Sequence, residues 1–160
     1  MGETVEEIRI IPAAKADIPL MAESRLAMFA DMFPEEDLSG IRQEFLDAAN
    51  RYYTEKLGSP DELSLVAKLG SEAIGCGTIM FQKRPPSIKN IRNLYGYILN
   101  IYVRPEFRRR GAATRIMQAL MSEAKNRGVK RIGLHASRAG ADVYRKLGFS
   151  PKESYMEAEV

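Results

Sequence analysis

Two rhythms of apolar and polar residues alternate along this chain of 160 residues. "EEIRIIPA" near the start has the short alternating pattern of a strand. "IPLMAESRLAMFADMF" then changes to helical spacing, with Asp17 as its expected cap and Pro19 tolerated in the first turn. Leu20, Ser24, Ala27 and Asp31 share one side of that helix, while Met21, Leu26, Met28, Phe29 and Phe33 supply its apolar surface. A second helix fits "IRQEFLDAANRYYTEKL" and stops at Gly58. "ELSLVAKLG" and "EAIGCGTIMFQKR" predict two strands meeting at a turn around Gly70 and Ser71, and "PPSIKN" breaks the pattern as a loop.

"NLYGYILNIYV" is rich in aromatic and β-branched residues and predicts a long strand. Strict alternation puts Tyr95, Tyr97, Leu99, Ile101 and Val103 on one face, and Ile98, Asn100 and Tyr102 on the other. The helix that follows runs from about Gly111 to Arg127, with Ile116, Met117, Leu120, Met121 and Ala124 as its apolar stripe and Gly128 as its stop. "VKRIGLHA" predicts a strand, "AGADVYRKLGF" a short helix ending at Gly148, and "ESYMEAEV" a last strand that could take part in pairing two copies as a homodimer. The order β-α-α-β-β-β-α-β-α-β implies an α/β fold, a mixed sheet with helices on both faces. With no repeat, low-complexity tract or linker, a single domain over residues 1–160 is the expectation.

Composition narrows the function classes. A hydrophobic content of 45% with 28% charged residues fits a globular chain with a real core. No apolar run is long enough to span a bilayer, and the start carries no basic-then-apolar signal segment, so no membrane and a cytoplasmic location are expected. One cysteine, Cys76, leaves no internal disulfide, and one histidine leaves no histidine-cluster metal site. Cys76, between two glycines, reads as a small buried residue.

The net charge of +3 conceals an asymmetry. Residues 1–63 hold 6 Lys+Arg against 14 Asp+Glu, a balance of −8, and residues 101–131 hold 9 against 2, a balance of +7. The basic excess peaks at Arg108, Arg109 and Arg110, which run into Gly111 where a helix begins. Stacked like charges repel, and the positive end of the helix dipole adds to the repulsion. The arrangement is strand, arginine–glycine loop, helix. Exposed N–H groups at the helix start, small side chains at Gly111, Ala112 and Ala113, and arginine forks together describe a cradle for a diphosphate. Neither the phosphate loop of nucleotide hydrolases nor the dinucleotide fingerprint occurs. A nucleic-acid surface is disfavoured, because the helix after the loop spends its apolar face on the core and the acidic half would repel phosphates.

The loop "RRRGAA" matches the Arg/Gln-x-x-Gly-x-Gly/Ala signature at Arg108, Gly111 and Ala113, and "LHASRAGADVYRKLGF" follows in order with Tyr144 33 residues beyond Gly111. With "IYVRPEF" before the loop and "IRIIPAAKADIPLMAESR" at the start, the chain resembles the GNAT superfamily of acetyl-CoA-dependent N-acetyltransferases over nearly its whole length. The resemblance implies a central, mostly antiparallel mixed sheet and acetyl transfer from acetyl-CoA to a primary amine in a ternary complex. The acceptor would be a small molecule or a peptide N-terminus or lysine. A non-catalytic domain that senses acyl-CoA is the alternative.

The resemblance also implies roles. Arg108, Arg109, Arg110, Gly111, Ala112, Ala113 and Thr114 would bind the pyrophosphate through backbone amides. Ile101, Tyr102 and Val103 would line the pantetheine arm, and a backbone N–H there would polarise the thioester carbonyl. Tyr144 would protonate the departing thiolate. A base must also free the amine, because at neutral pH only roughly one ammonium in a thousand is deprotonated. Family members often carry a carboxylate on the fourth strand, but "NLYGYILNIYV" has none. The candidates are His135 and a water chain ordered by Asn100 and the Tyr97 hydroxyl. The first two helices would wall the acceptor site, where the −8 balance would suit an amine and Arg25, Tyr52 and Tyr53 could orient a carboxylate or polar group.

Overall fold

A computed structural model describes residues 7–152, 154 and 156–160. The elements run β1 (Ile8–Pro12), α1 (Ile18–Met32), α2 (Arg42–Lys56), β2 (Glu62–Leu69), β3 (Glu72–Lys83), β4 (Leu94–Val103), α3 (Ala112–Asn126), β5 (Arg131–Leu134) and α4 (Ala141–Lys146), with single 3-10 turns at Lys15–Asp17, Ser39–Ile41 and Pro105–Phe107. The five strands form one sheet in sequence order. Pairing is antiparallel except between β4 and β5, which are joined through α3 and run parallel.

Each face of the sheet has its own core. Under α3 and α4 lie Leu65, Ile74, Ile79, Ile98 and Val103, packed against Ile116, Met117, Leu120 and Tyr144. Under α1 and α2 lie Val66 and Cys76, packed against Ile18, Met21, Ala22, Ala49 and Tyr53. The stripe of α3 is buried as its spacing requires, with Ile116, Met117, Leu120 and Ala124 fully enclosed. Glycines in the left-handed region follow α2 and α3 at Gly58 and Gly128, as helix stops do.

Four expectations change. Asp17 makes no side-chain cap for α1. Its buried carboxylate instead accepts the Ala14 N–H at 2.8 Å and lies 3.4 Å from Lys68 Nζ, closing the turn before the helix. Strand β5 covers only Arg131–Leu134, so His135 stands just past its end. The last predicted strand does not form at the described residues 154 and 156–160, and Glu153 and Tyr155 lie outside the described residues.

The fourth change shapes the site. Pairing of β3 with β4 shifts between Cys76 and Thr78, because Cys76 faces Tyr102 while Thr78 faces Leu99. The extra residue is a bulge at Asn100, whose φ is +58°. Alternation therefore holds only as far as Leu99. Beyond the bulge Ile101 and Val103 join the Ile98 core, and Tyr102 changes to the face of α1 and α2. Gly77 makes room for this, since a Cβ there would stand 2.5 Å from Ile101 and 2.6 Å from Ile116.

Candidate functional site

The site begins where β4 parts from β5. The parallel pairing joins Tyr95–Ile98 to Arg131–Leu134 and stops there. From Leu99 to Val103 the edge of β4 that faces β5 has no strand partner among the described residues. Unpaired edge N–H and C=O groups can accept an extended ligand as an added strand. Ile101, Tyr102 and Val103 lie on this edge, so their placement suits the pantetheine arm.

The same strand leads into the arginine loop. Arg109 and Gly111 both sit in the left-handed region, at φ +62° and +80°. A Cβ at Gly111 would meet nothing within 4 Å, so this side of the loop is open. The first helical bond of α3 runs from Arg115 N–H to the Gly111 carbonyl at 3.0 Å. The N–H groups of Ala112, Ala113 and Thr114 therefore precede any intrahelical acceptor. No acidic residue stands in that first turn.

The arginines divide the work. Arg108 is fastened: its Nε donates to the Val103 carbonyl at 2.9 Å, its guanidinium donates to Asp31 at 2.9 Å, and it lies over the Tyr102 ring. Part of the charge stacking is thus relieved by Asp31 at the end of α1, not by a ligand. Arg109 and Arg110 are exposed at the loop, with Arg110 over the Phe107 ring. Nothing in the local sequence around the loop points to Asp31, which is 77 residues away.

Tyr144 is buried on α4, with its ring edge-on to Phe149 at 6.2 Å between centroids. The ring lies so close over Gly140 that a Cβ there would stand 2.6–2.7 Å from it. Burial raises the phenol above its ordinary pKa, so it is a neutral proton donor at physiological pH.

On the other side of β4 the Tyr97 hydroxyl hydrogen-bonds His135 Nδ1, and the two rings meet at 64°. The bond joins two candidates that the sequence leaves separate. Asn100 has a different setting. Its Nδ2 donates to the Met21 carbonyl at 3.4 Å and touches Cys76 Sγ, while its Oδ1 is buried with no hydrogen-bond partner. It ties the bulge to α1. Cys76 is fully buried and its thiol is pushed up to about 12, so no thiolate forms near neutral pH.

The acidic side chains of α1, α2 and the segment between them lie at the surface, and Asp31 is the one that reaches the arginine loop. Glu23, Asp31, Glu35, Glu36, Asp37, Glu44, Asp47 and Glu55 are all exposed. Besides Asp17, the buried carboxylate among the described residues is Glu62 on β2, which accepts a hydrogen bond from Tyr52. No group of three or more His, Cys, Asp or Glu side chains among the described residues is placed to hold a metal ion. No helix among them is long and apolar enough to cross a membrane.

Comparison with known proteins agrees with this arrangement. Residues 26–149 match the model of the Acetyltransferase (GNAT) family. A predicted acetyltransferase from Clostridium acetobutylicum, solved with acetyl-CoA, superposes with a TM-score of 0.82 at 30% identity and covers 96% of each chain. A GCN5-related N-acetyltransferase from Ralstonia eutropha JMP134 superposes with a TM-score of 0.85 at 25% identity, covering 96% of this chain and 99% of the other. An uncharacterized N-acetyltransferase of Bacillus subtilis, YobR, is 40% identical over 60 residues, and the match spans about a quarter of that protein's length, 24%.

Proposed function

The chain belongs to the Acetyltransferase (GNAT) family, and on that premise we propose that it moves an acetyl group from acetyl-CoA directly to a primary amine in a ternary complex. The observation that carries the reading is the open edge of β4 running into a left-handed glycine and the unpaired amides of α3. That path offers an extended groove ending in an anion cradle, which is the shape of a pantetheine arm with a diphosphate at its end. The site would hold the coenzyme through backbone groups of Ile101 to Val103 and of Gly111 to Thr114, with Arg109 and Arg110 adding charge.

Coenzyme A supplies the activated thioester. The chain's residues would supply proton transfers. The Tyr97 hydroxyl would take a proton from the incoming ammonium while passing its own to His135 Nδ1. The freed nitrogen attacks the thioester carbonyl, and a β4 N–H steadies the oxyanion. The C–S bond then breaks, the phenol of Tyr144 protonates the leaving sulfur, and the second proton shed by the acetylated nitrogen passes through water to restore that phenol. The products are the N-acetyl amide and coenzyme A, and His135 returns its proton to solvent. A lone buried cysteine without a disulfide partner suits work in a reducing compartment such as the cytoplasm.

The test is thiol release from acetyl-CoA across a panel of amines, with both substrates varied. Intersecting initial-rate lines are expected for a ternary complex. Binding of acetyl-CoA without turnover on any amine would replace this reading with that of an acyl-CoA sensor. A thiol burst before amine addition would replace direct transfer with an acyl-enzyme.

A further inference from the structure

Between the end of α2, the β1–α1 junction and the start of β2 lies a cavity lined by Met21, Tyr53, Lys56, Glu62 and Ser64. Three observations there point to a ligand. Tyr53 is 2% exposed, yet its hydroxyl has no hydrogen-bond partner. A buried hydroxyl left unpaired is costly, so the position is maintained at a loss unless something else meets it.

The other two observations concern charge. Lys56 lines the cavity, and no carboxylate among the described residues lies within ion-pair distance of it. Arg25 on α1 is half-buried, rests over the Phe29 ring and also has no ion-pair partner there. It does not line the cavity, but its charge is felt by Tyr52, Tyr53 and Glu62. The carboxylate that lines the cavity, Glu62, already accepts the Tyr52 hydroxyl. Lys56 on the wall, Arg25 nearby and a free hydroxyl against that one engaged carboxylate leave a surplus of positive charge for an anion.

We propose that this cavity receives a carboxylate of the acetyl acceptor, held by Lys56 and the Tyr53 hydroxyl with Arg25 adding positive charge nearby, so that the enzyme selects amines that carry an acid at their far end. The inference rests on the transferase reading above. Register supplies the length. Glu62 pairs with Met80, and Met80 with Tyr97, on one face of the sheet. Two strand spacings separate Glu62 from Tyr97, roughly 10 Å. An acceptor with its acid in the cavity and its amine at Tyr97 is therefore an extended chain of roughly six to eight carbons, given an advance of about 1.2 Å per bond in an extended chain.

The test compares 6-aminohexanoate with hexylamine and 1,6-diaminohexane as acceptors, beside calorimetric binding of 6-aminohexanoate to the protein saturated with coenzyme A. The expected result is a kcat/KM at least roughly tenfold higher for the amino acid, the size of a charge-assisted bond. Lys56→Gln should reduce that preference, lowering kcat/KM for 6-aminohexanoate by more than it lowers that for hexylamine. Tyr53→Phe, which keeps the ring and removes only the hydroxyl, should raise KM for the amino acid with kcat intact. Equal rates would overturn the proposal, and a preference for the diamine would overturn it and assign the cavity to Glu62 as a cation site. If every amine is inert, the transferase reading fails, and the calorimetry still decides the anion site: binding lost in Lys56→Gln supports it, and no binding in the wild type overturns it.

Discussion

Replacing Gly140 with alanine should disable the enzyme through Tyr144, not through the fold. The added Cβ would stand 2.6 Å from Tyr144 Cε2 and 2.7 Å from both Cζ and the hydroxyl oxygen, whereas ordinary contact is 3.4–4 Å. The ring must therefore retreat by roughly 0.8 Å or more to restore normal contact, and it is backed by Phe149. A displacement of about 1 Å at a proton donor can cost on the order of a hundredfold in rate. Steady-state kinetics of Gly140→Ala should show kcat down by about that factor with the acetyl-CoA dissociation constant little changed. Tyr144→Phe should show a comparable loss, and the double variant should be no slower than Tyr144→Phe alone, because both changes remove the same group. A thermal melt separates this from unfolding, since overpacking costs typically about 1–3 kcal/mol. An unchanged kcat in folded Gly140→Ala, or a double variant whose losses multiply, would refute Tyr144 as the proton donor held by this contact.

Gly111→Glu should abolish acetyl-CoA binding, because it combines a strained φ of +80° with a carboxylate beside the amides; unchanged affinity in calorimetry would remove the phosphate cradle. His135→Gln and Tyr97→Phe should each lower kcat by roughly a hundredfold or more, the usual contribution of a positioned base, and should not be additive in a double variant. Glu62→Gln tests linkage. Burial raises the folded-state pKa of Glu62, so its contribution to stability is present at acid pH and lost as pH rises from the ordinary glutamate range through the raised value. The variant should flatten that part of the stability–pH curve and melt no lower than the wild type at pH 8, as read by calorimetric Tm. Cys76 should resist a thiol reagent at pH 8 until the protein unfolds, since its pKa is pushed up to about 12; rapid modification of the native protein would contradict its burial.

Much of this was legible in the residues because local rules and tertiary packing agree there. The apolar stripe of α3, the glycine stops and the Gly70–Ser71 hairpin follow from periodicity and turn chemistry, and Arg108, Gly111 and Ala113 mark the proposed cradle through their resemblance to the family's loop. What escaped was nonlocal. The bulge at Asn100 leaves composition unchanged but reverses the phase of Ile101, Tyr102 and Val103, and only the register with Cys76 and Thr78 reveals it. The Asp31 partner of Arg108 and the bond between Tyr97 and His135 join residues 77 and 38 positions apart. Charge counting also carries no direction: it sums the exposed acids of α1 and α2, of which Asp31 turns to Arg108, and it gives no sign that Lys56 lines a cavity beside Glu62.

Calorimetric titration of the protein with acetyl-CoA tests the central claim most directly, with the Gly111→Glu variant alongside. A single site of micromolar affinity in the wild type, absent from the variant, is the predicted result. No heat of binding up to millimolar acetyl-CoA would contradict the account, because the open edge of β4 and the arginine loop would then lack the ligand from which the rest of the mechanism is built.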